Sequence, residues 1–288
     1  MNKKICEMVA DRVLEEMKKG IVPWDKPWFG SDDFVSHANG KGYSLLNCIL
    51  LGEPGEYPTF KQVSAEGGKV KKGAKSKFVV FWSPKKKIVE DDDGEQKEKV
   101  FFILRYYNVF NLNDCEGIEH KYLKNGGVRF THDTVAEAEN VIDGYCGRNS
   151  GLRIQRVDES GRAFYRPADD YIQVPRKEQF KKIEEFYSTL FHEMTHSTGH
   201  WTRLGRFEED GTHALYGSED YGKEELIAEL GAAALCGKCG IESRDSFRNS
   251  AAYLKSWIET IEGNPEMIVS AAGKADKAVD FILNGEAA

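Results

Sequence analysis

Tyr187-Ser188-Thr189-Leu190-Phe191-His192-Glu193-Met194-Thr195-His196-Ser197-Thr198-Gly199-His200 is the stretch from which the rest of this 288-residue chain is best read. Apolar residues at Phe180, Ile183, Phe186, Tyr187, Leu190, Phe191 and Met194 recur with a helical period. They predict a helix over 177–198 that stops at Gly199, where a left-handed cap is easiest. His192 and His196 are four residues apart, so both imidazoles leave one face of that helix and can meet a single metal ion. Glu193 follows the first histidine and can reach a water at that metal without ligating it, as a general base must. Two imidazoles suit zinc, which needs a third protein ligand and keeps one position open for chemistry. The bare five-residue pattern arises by chance in on the order of one sequence in a hundred of this length. Its plain alternative is a helix whose two histidines bond ordinary partners.

The third ligand is expected from a second helix beginning at Tyr221. Its apolar stripe is Leu226, Ile227, Leu230, Ala233 and Ala234, with Glu225 and Glu229 flanking it and the small Ala232 allowing close approach. Carboxylates beside a buried stripe are costly unless they meet a cation or hydrogen-bond donors. Glu225 as ligand and Glu229 bonding a histidine ring N–H would use both. Solvated glutamates favoured by the helix dipole are the alternative. His200 is a rival ligand, although Thr202 stands where the metalloproteases with a third histidine in HExxHxxGxxH would carry it. His200 therefore lines the pocket or caps the helix in this reading. Tyr216 and Tyr221 are candidates to donate a phenol hydrogen bond to a tetrahedral oxyanion, or are core residues. The strand Tyr171–Val174, just ahead of the helix, is expected to offer an edge to an extended peptide.

Working outward, the chain reads as α+β. An amphipathic helix (Ile5, Val9, Val13, Leu14, Met17) is followed by a Pro/Trp-rich stretch with Trp24 and Trp28, then an irregular region ending at Tyr43–Asn47. Thr59 can cap a short helix to about Glu66. Two β-branched and aromatic runs, 76–82 and 100–111, predict strands long enough to pair, with Asp91-Asp92-Asp93-Gly94 between them as a turn or a disordered tip. This small α+β module is placed at 1–125. The second, mostly helical with a short sheet, is placed at 130–288: a helix at 134–146, strands near 152–157, 163–165 and 171–174, and helices after Pro175.

The net charge of −7 hides an asymmetry. Residues 1–130 hold 22 Lys and Arg against 19 acids, and the remainder 18 against 28. Between Lys61 and Lys87 lie nine lysines, among them Lys69, Lys71, Lys72, Lys75 and Lys77, with Glu66 the one acid. Screening confines charge effects to about 10 Å, so a local basic segment matters more for phosphate binding than the chain average. Its plain reading is a solvated loop. The six cysteines are scattered, and Cys236-Gly-Lys-Cys239 lacks the second pair of a structural zinc site. No apolar run reaches membrane-spanning length and the N-terminus lacks a signal-peptide core, so a cytoplasmic protein with no membrane partner is expected.

Taken in order, these segments resemble the ArdC-type antirestriction proteins. Tyr187–Leu204, Glu224–Leu230 and Ala252-Tyr253 to Trp257 resemble that family's zincin-like metallopeptidase half. Pro23-Trp24 through Pro27-Trp28, Gly42-Tyr43 to Asn47, Thr59-Phe60-Lys61-Gln62 and Val109-Phe110-Asn111 resemble its single-stranded-DNA-binding half. One departure is that Tyr43–Asn47 lacks the basic residue and glycine expected around that tyrosine. The resemblance implies a protein of a mobile element that protects entering single-stranded DNA from restriction. It implies one zinc per chain at His192, His196 and Glu225, Glu193 as base, and a protein substrate. The alternative within the same resemblance is a DNA-protecting protein whose zinc is structural or vestigial. Lysines tracking phosphates and aromatics stacking on bases would form the DNA site. Trp24, Trp28, Tyr43, Trp82, Tyr106 and Tyr107 are the aromatics available, of which two or three are expected to reach a base.

Overall fold

The computed structural model describes residues 2–25, 33–90, 96–123, 134–157, 162–208, 219–241 and 250–285. Helix α1 (Lys3–Met17) turns Ile5, Val9, Val13, Leu14 and Met17 inward. Strand β1 (Phe34–Ser36) and helix α2 (Leu45–Leu51) precede β2 (Gly55–Tyr57), which runs parallel to β1. The stretch read as irregular up to Asn47 thus already opens a helix at Leu45. The Leu45 N–H donates to the Asp276 carboxylate at 2.9 Å, a cap supplied from 231 residues away. Thr59 does cap α3 (Phe60–Ala65), in a reciprocal box with Gln62. After the short β3 (Lys69–Val70), the strands β4 (Lys77–Glu90) and β5 (Gln96–Val109) form a two-stranded antiparallel ribbon, and β6 (Cys115–Glu116) pairs with β3.

Helix α4 (Thr134–Arg148) leads into β7 (Arg153–Val157), β8 (Phe164–Arg166) and β9 (Tyr171–Pro175), a sheet of order β7-β9-β8. Strand β9 is therefore central, parallel to β7 and antiparallel to β8, and offers no free edge. The edge beside the histidine helix belongs to β8. Helix α5 (Ile183–Ser197) starts later than the periodicity predicts, because Phe180 is extended after a 3-10 turn at Lys177–Gln179. Nor does Gly199 cap it in the left-handed region, since the helix runs on through right-handed Thr198. Glycine is required there for space: a Cβ would lie 2.6 Å from the Phe207 ring. The non-helical segment 199–208 also interrupts the helices expected after Pro175.

Helix α6 (Glu219–Cys239) lies along α5, and α7 (Ser250–Gly263) and α8 (Glu266–Asn284) complete the helical layer. Helix α1 packs on α7 and α8, α2 packs on α8, and Trp24 meets Trp257 at 5.8 Å between ring centres. One apolar core consequently runs through both halves of the chain. Cys236 and Cys239 are buried free thiols in α6; burial raises both, Cys239 to about 12. Among the described residues no helix is long and apolar enough to cross a membrane.

Candidate metal centre

Helices α5 and α6 approach closely where Gly231 faces Thr195. A Cβ on Gly231 would stand 2.6 Å from the Thr195 side chain, so only glycine permits this approach. One and a half turns earlier on α6, the crossing sets Glu225 opposite the two histidines. The Nε2 atoms of His192 and His196 are 3.1 Å apart. Glu225 Oε2 is 3.6 Å from His192 Nε2, and its Oε1 is 3.5 Å from His196 Nε2. Ligand atoms about 2.0–2.1 Å from one tetrahedral ion stand about 3.4 Å from each other, so the set fits a single cation. It is the one group among the described residues whose His, Cys, Asp or Glu atoms converge in this way. Burial works against charge on His196, yet the Glu224 and Glu225 carboxylates hold its pKa up at about 10. The same surroundings draw the Glu225 carboxyl far below its usual range: burial opposes the shift, and the two histidines more than offset it. The pocket favours positive charge between these three side chains.

Behind the donors stands a residue that sequence reasoning missed. Glu224 Oε1 faces His196 Nδ1 at 3.3 Å, and the partly buried Arg206 forks onto the Glu224 carboxylate at 2.8 and 3.0 Å. Arg206 also donates to the Thr195 carbonyl and the Thr198 hydroxyl, each at 2.9 Å, tying the end of α5 to α6. Such an arrangement fixes the imidazole tautomer and aims Nε2 outward. The signal was present as a glutamate next to Glu225, but helix phase alone does not say which of the two faces the ring. Glu229, expected to bond a histidine, has Oε1 4.0 Å from His192 Nδ1, too far for a hydrogen bond. Burial raises its carboxyl to about 7.

Glu193 is buried beside the donors without joining them. Burial pushes its carboxyl up, opposed by His192 and His196, and it takes a hydrogen bond from the Tyr165 backbone on β8. His200 is not drawn in: Nδ1 meets the Thr202 hydroxyl at 2.7 Å, the ring stacks on Trp201, and burial lowers its pKa. The loop carrying it is clamped by Arg203, which reaches the Ser197 carbonyl at 2.7 Å, Tyr165 at 3.1 Å and both oxygens of Asp170. Tyr216 lies outside the described residues, as does the side chain of Tyr221.

The expected nucleic-acid contacts fare differently. Trp24 is fully buried and presents no face to a base, and Trp28 lies outside the described residues. Tyr43 is half-buried with its ring edge-on to Tyr57. Lys77 is turned inward onto the Leu51 carbonyl and Glu53, while the exposed Lys71 donates to the Asn113 carbonyl. Lys69, Lys72 and Lys75 are exposed.

A family profile described as a zincin-like metallopeptidase matches residues 145–274. A second, the N-terminal domain of anti-restriction factor ArdC, matches residues 3–110. The metal-free crystal structure of antirestriction ArdC protein from the R388 plasmid is 31% identical, with a TM-score of 0.73 over 96% of each chain. This chain belongs to the ArdC family. The Mn(II)-bound R388 structure matches the ArdC-family chain at 29% identity, with the same TM-score and coverage. Two Escherichia coli proteins named DNA primase TraC are 34% and 32% identical over 98% of this chain. The chain spans only 27% and 20% of their length. The protein y4eC of Sinorhizobium fredii (strain NBRC 101917 / NGR234) is 25% identical over 96% of this ArdC-family chain and 91% of its own length.

Proposed function

We propose that this ArdC-family protein binds single-stranded DNA through residues 1–125 and hydrolyses peptide bonds at a zinc site in residues 130–288, protecting incoming DNA from restriction in the cytoplasm. The observation that carries the enzymatic part is Glu193: a buried carboxylate beside three convergent donors, contributing no ligand atom to them. A purely structural ion has no use for such a group. That the R388 relative has both a metal-free and a Mn(II)-bound crystal structure supports an exchangeable ion over one needed for folding.

A divalent cation held by His192, His196 and Glu225 would supply Lewis acidity, polarising the scissile carbonyl and easing deprotonation of water. The protein's own residues do the rest. Glu193, its pKa raised by burial, takes the proton from the attacking water and delivers it to the leaving amide nitrogen. Glu224, anchored by Arg206, keeps the His196 ring in one orientation. Strand β8 ends its sheet next to Glu193, so an extended peptide can lie along it by main-chain pairing, the role expected of β9.

The test is transfer of a conjugative plasmid carrying the gene into restricting and non-restricting recipients, with purified proteins assayed on an unfolded protein substrate plus zinc. Glu193→Gln should bind metal like the wild type, lose cleavage and lose protection. Protection that survives undiminished in Glu193→Gln would remove peptide hydrolysis from the function.

A further inference from the structure

Beyond a base that buries Val79, Val80, Leu104 and Val109 in the core, the β4–β5 ribbon carries two chemically distinct faces. Its register pairs Phe81 with Arg105, Ser83 with Ile103, Lys85 with Phe101 and Lys87 with Lys99, and Tyr107 pairs with Val79. Cross-strand partners and residues two apart share a face. One face therefore presents Arg105, Lys85, Lys87 and Lys99 interleaved with Phe81, Phe101 and Tyr107. All seven are exposed, and Phe81 and Tyr107 lie 5.4 Å apart between ring centres. None of the four cations is ion-paired with another described residue, and no carboxylate from 77–88 or 98–109 falls on this face. On the opposite face Val80 and Leu104 are buried at the base. Trp82, Ile88, Val100 and Phe102 continue it outward, and its lysine, Lys86, is already paired with Glu98 at 2.8 Å.

We infer that the Lys85/Lys87/Lys99/Arg105 face of the ribbon is the track on which single-stranded DNA lies, an assignment that rests on the DNA-binding reading above. Lys85 and Lys87 stand about 6.8 Å apart along β4, Lys99 lies opposite Lys87, and Arg105 follows about 20 Å further along β5, so unpaired cations span the length of the face and can follow a phosphate backbone. Aromatic rings between them give unpaired bases a surface to stack on, which a duplex, its bases already stacked, cannot use. The face therefore selects single strands over duplex, with little sequence preference. This places the DNA contacts on the ribbon beyond the 69–77 segment, where Lys71 and Lys77 each already donate to a carbonyl of the chain itself.

The test titrates a fluorescein-labelled oligothymidylate with the full-length protein over a range of salt. In the Lys85→Ala/Lys87→Ala/Lys99→Ala/Arg105→Ala variant, binding should weaken more than tenfold, and the slope of log K against log salt should flatten by about 2.8. Phe101→Ala and Tyr107→Ala should each cost about 5- to 150-fold on the single strand and leave duplex binding unchanged. Trp82→Ala and Phe102→Ala, on the other face, should stay within twofold of wild type, and matching circular dichroism keeps each comparison valid. Wild-type binding with no loss in the quadruple variant overturns this assignment and leaves the DNA reading standing. No binding by the wild type at low salt overturns both. Competition by polyglutamate as strong as by oligothymidylate of equal charge also overturns it, making the face a docking surface for acidic protein.

Discussion

Removing the Glu224 carboxylate separates its two tasks, orienting His196 and neutralising Arg206. The Arg206 and Glu224 side chains are only 9% and 15% exposed, so Glu224→Ala leaves a largely desolvated guanidinium without its partner. Breaking a buried pair from one side costs about 3–5 kcal/mol. For a chain of this size that lowers Tm by roughly 5–8 °C. Loss of the carboxylate facing His196 Nδ1 should separately weaken zinc binding by about 10- to 100-fold. Removing both charges, in Arg206→Met/Glu224→Leu, leaves no charge unpaired but takes a donor from the Thr195 carbonyl and the Thr198 hydroxyl, so part of the lost stability should return while zinc affinity stays low. Thermal melts of the metal-free proteins read the first effect, and chelator competition reads the second. Zinc affinity of Glu224→Ala within twofold of wild type, at a temperature where both are folded, would refute the orienting role.

Three further outcomes follow from the same geometry. Glu193→Gln should lower peptide cleavage by at least about a hundredfold with zinc stoichiometry unchanged; simultaneous loss of metal would make Glu193 a ligand. Gly231→Ala forces a methyl into Thr195 and should cost about 1–3 kcal/mol while loosening zinc binding through a shift of Glu225; Thr195→Ala in the same chain should restore both, as read by melting and chelator competition. Burial raises Asp276 from 3.8 to about 7, opposed by its hydrogen bond from Leu45. Because the folded chain then holds the proton more tightly, this group makes stability fall as pH rises from about 4 to 7. Asp276→Asn keeps an acceptor for Leu45 and should melt higher than wild type at pH 8, with the gain vanishing near pH 4. A gain independent of pH would show that charge on Asp276 is not its cause.

The sequence by itself determined what depends on neighbours along the chain. His192, Glu193 and His196 take their relative places from helical periodicity, whatever the helix packs on. Thr59 and Gln62 close a cap within four residues, and the runs in 76–82 and 100–111 belong to neighbouring paired strands. Tertiary structure decided the remainder. Glu224, Glu225 and Glu229 all lie on the side of α6 turned toward α5. Which of them comes within 3.6 Å of both histidine Nε2 atoms, which faces His196 Nδ1 and which stops at 4.0 Å depends on the rotation and depth of the α5–α6 crossing, where Gly231 lies against Thr195. His200 lies just beyond the histidine-bearing helix in sequence but is turned onto Thr202 and Trp201. Trp24 reads as an exposed platform until α7 brings Trp257 to it. Strand β9 reads as an edge until β7 and β8 pair on either side of it. In each case the deciding partner lies far along the chain, and only the folded packing selects one among several arrangements that the local pattern allows.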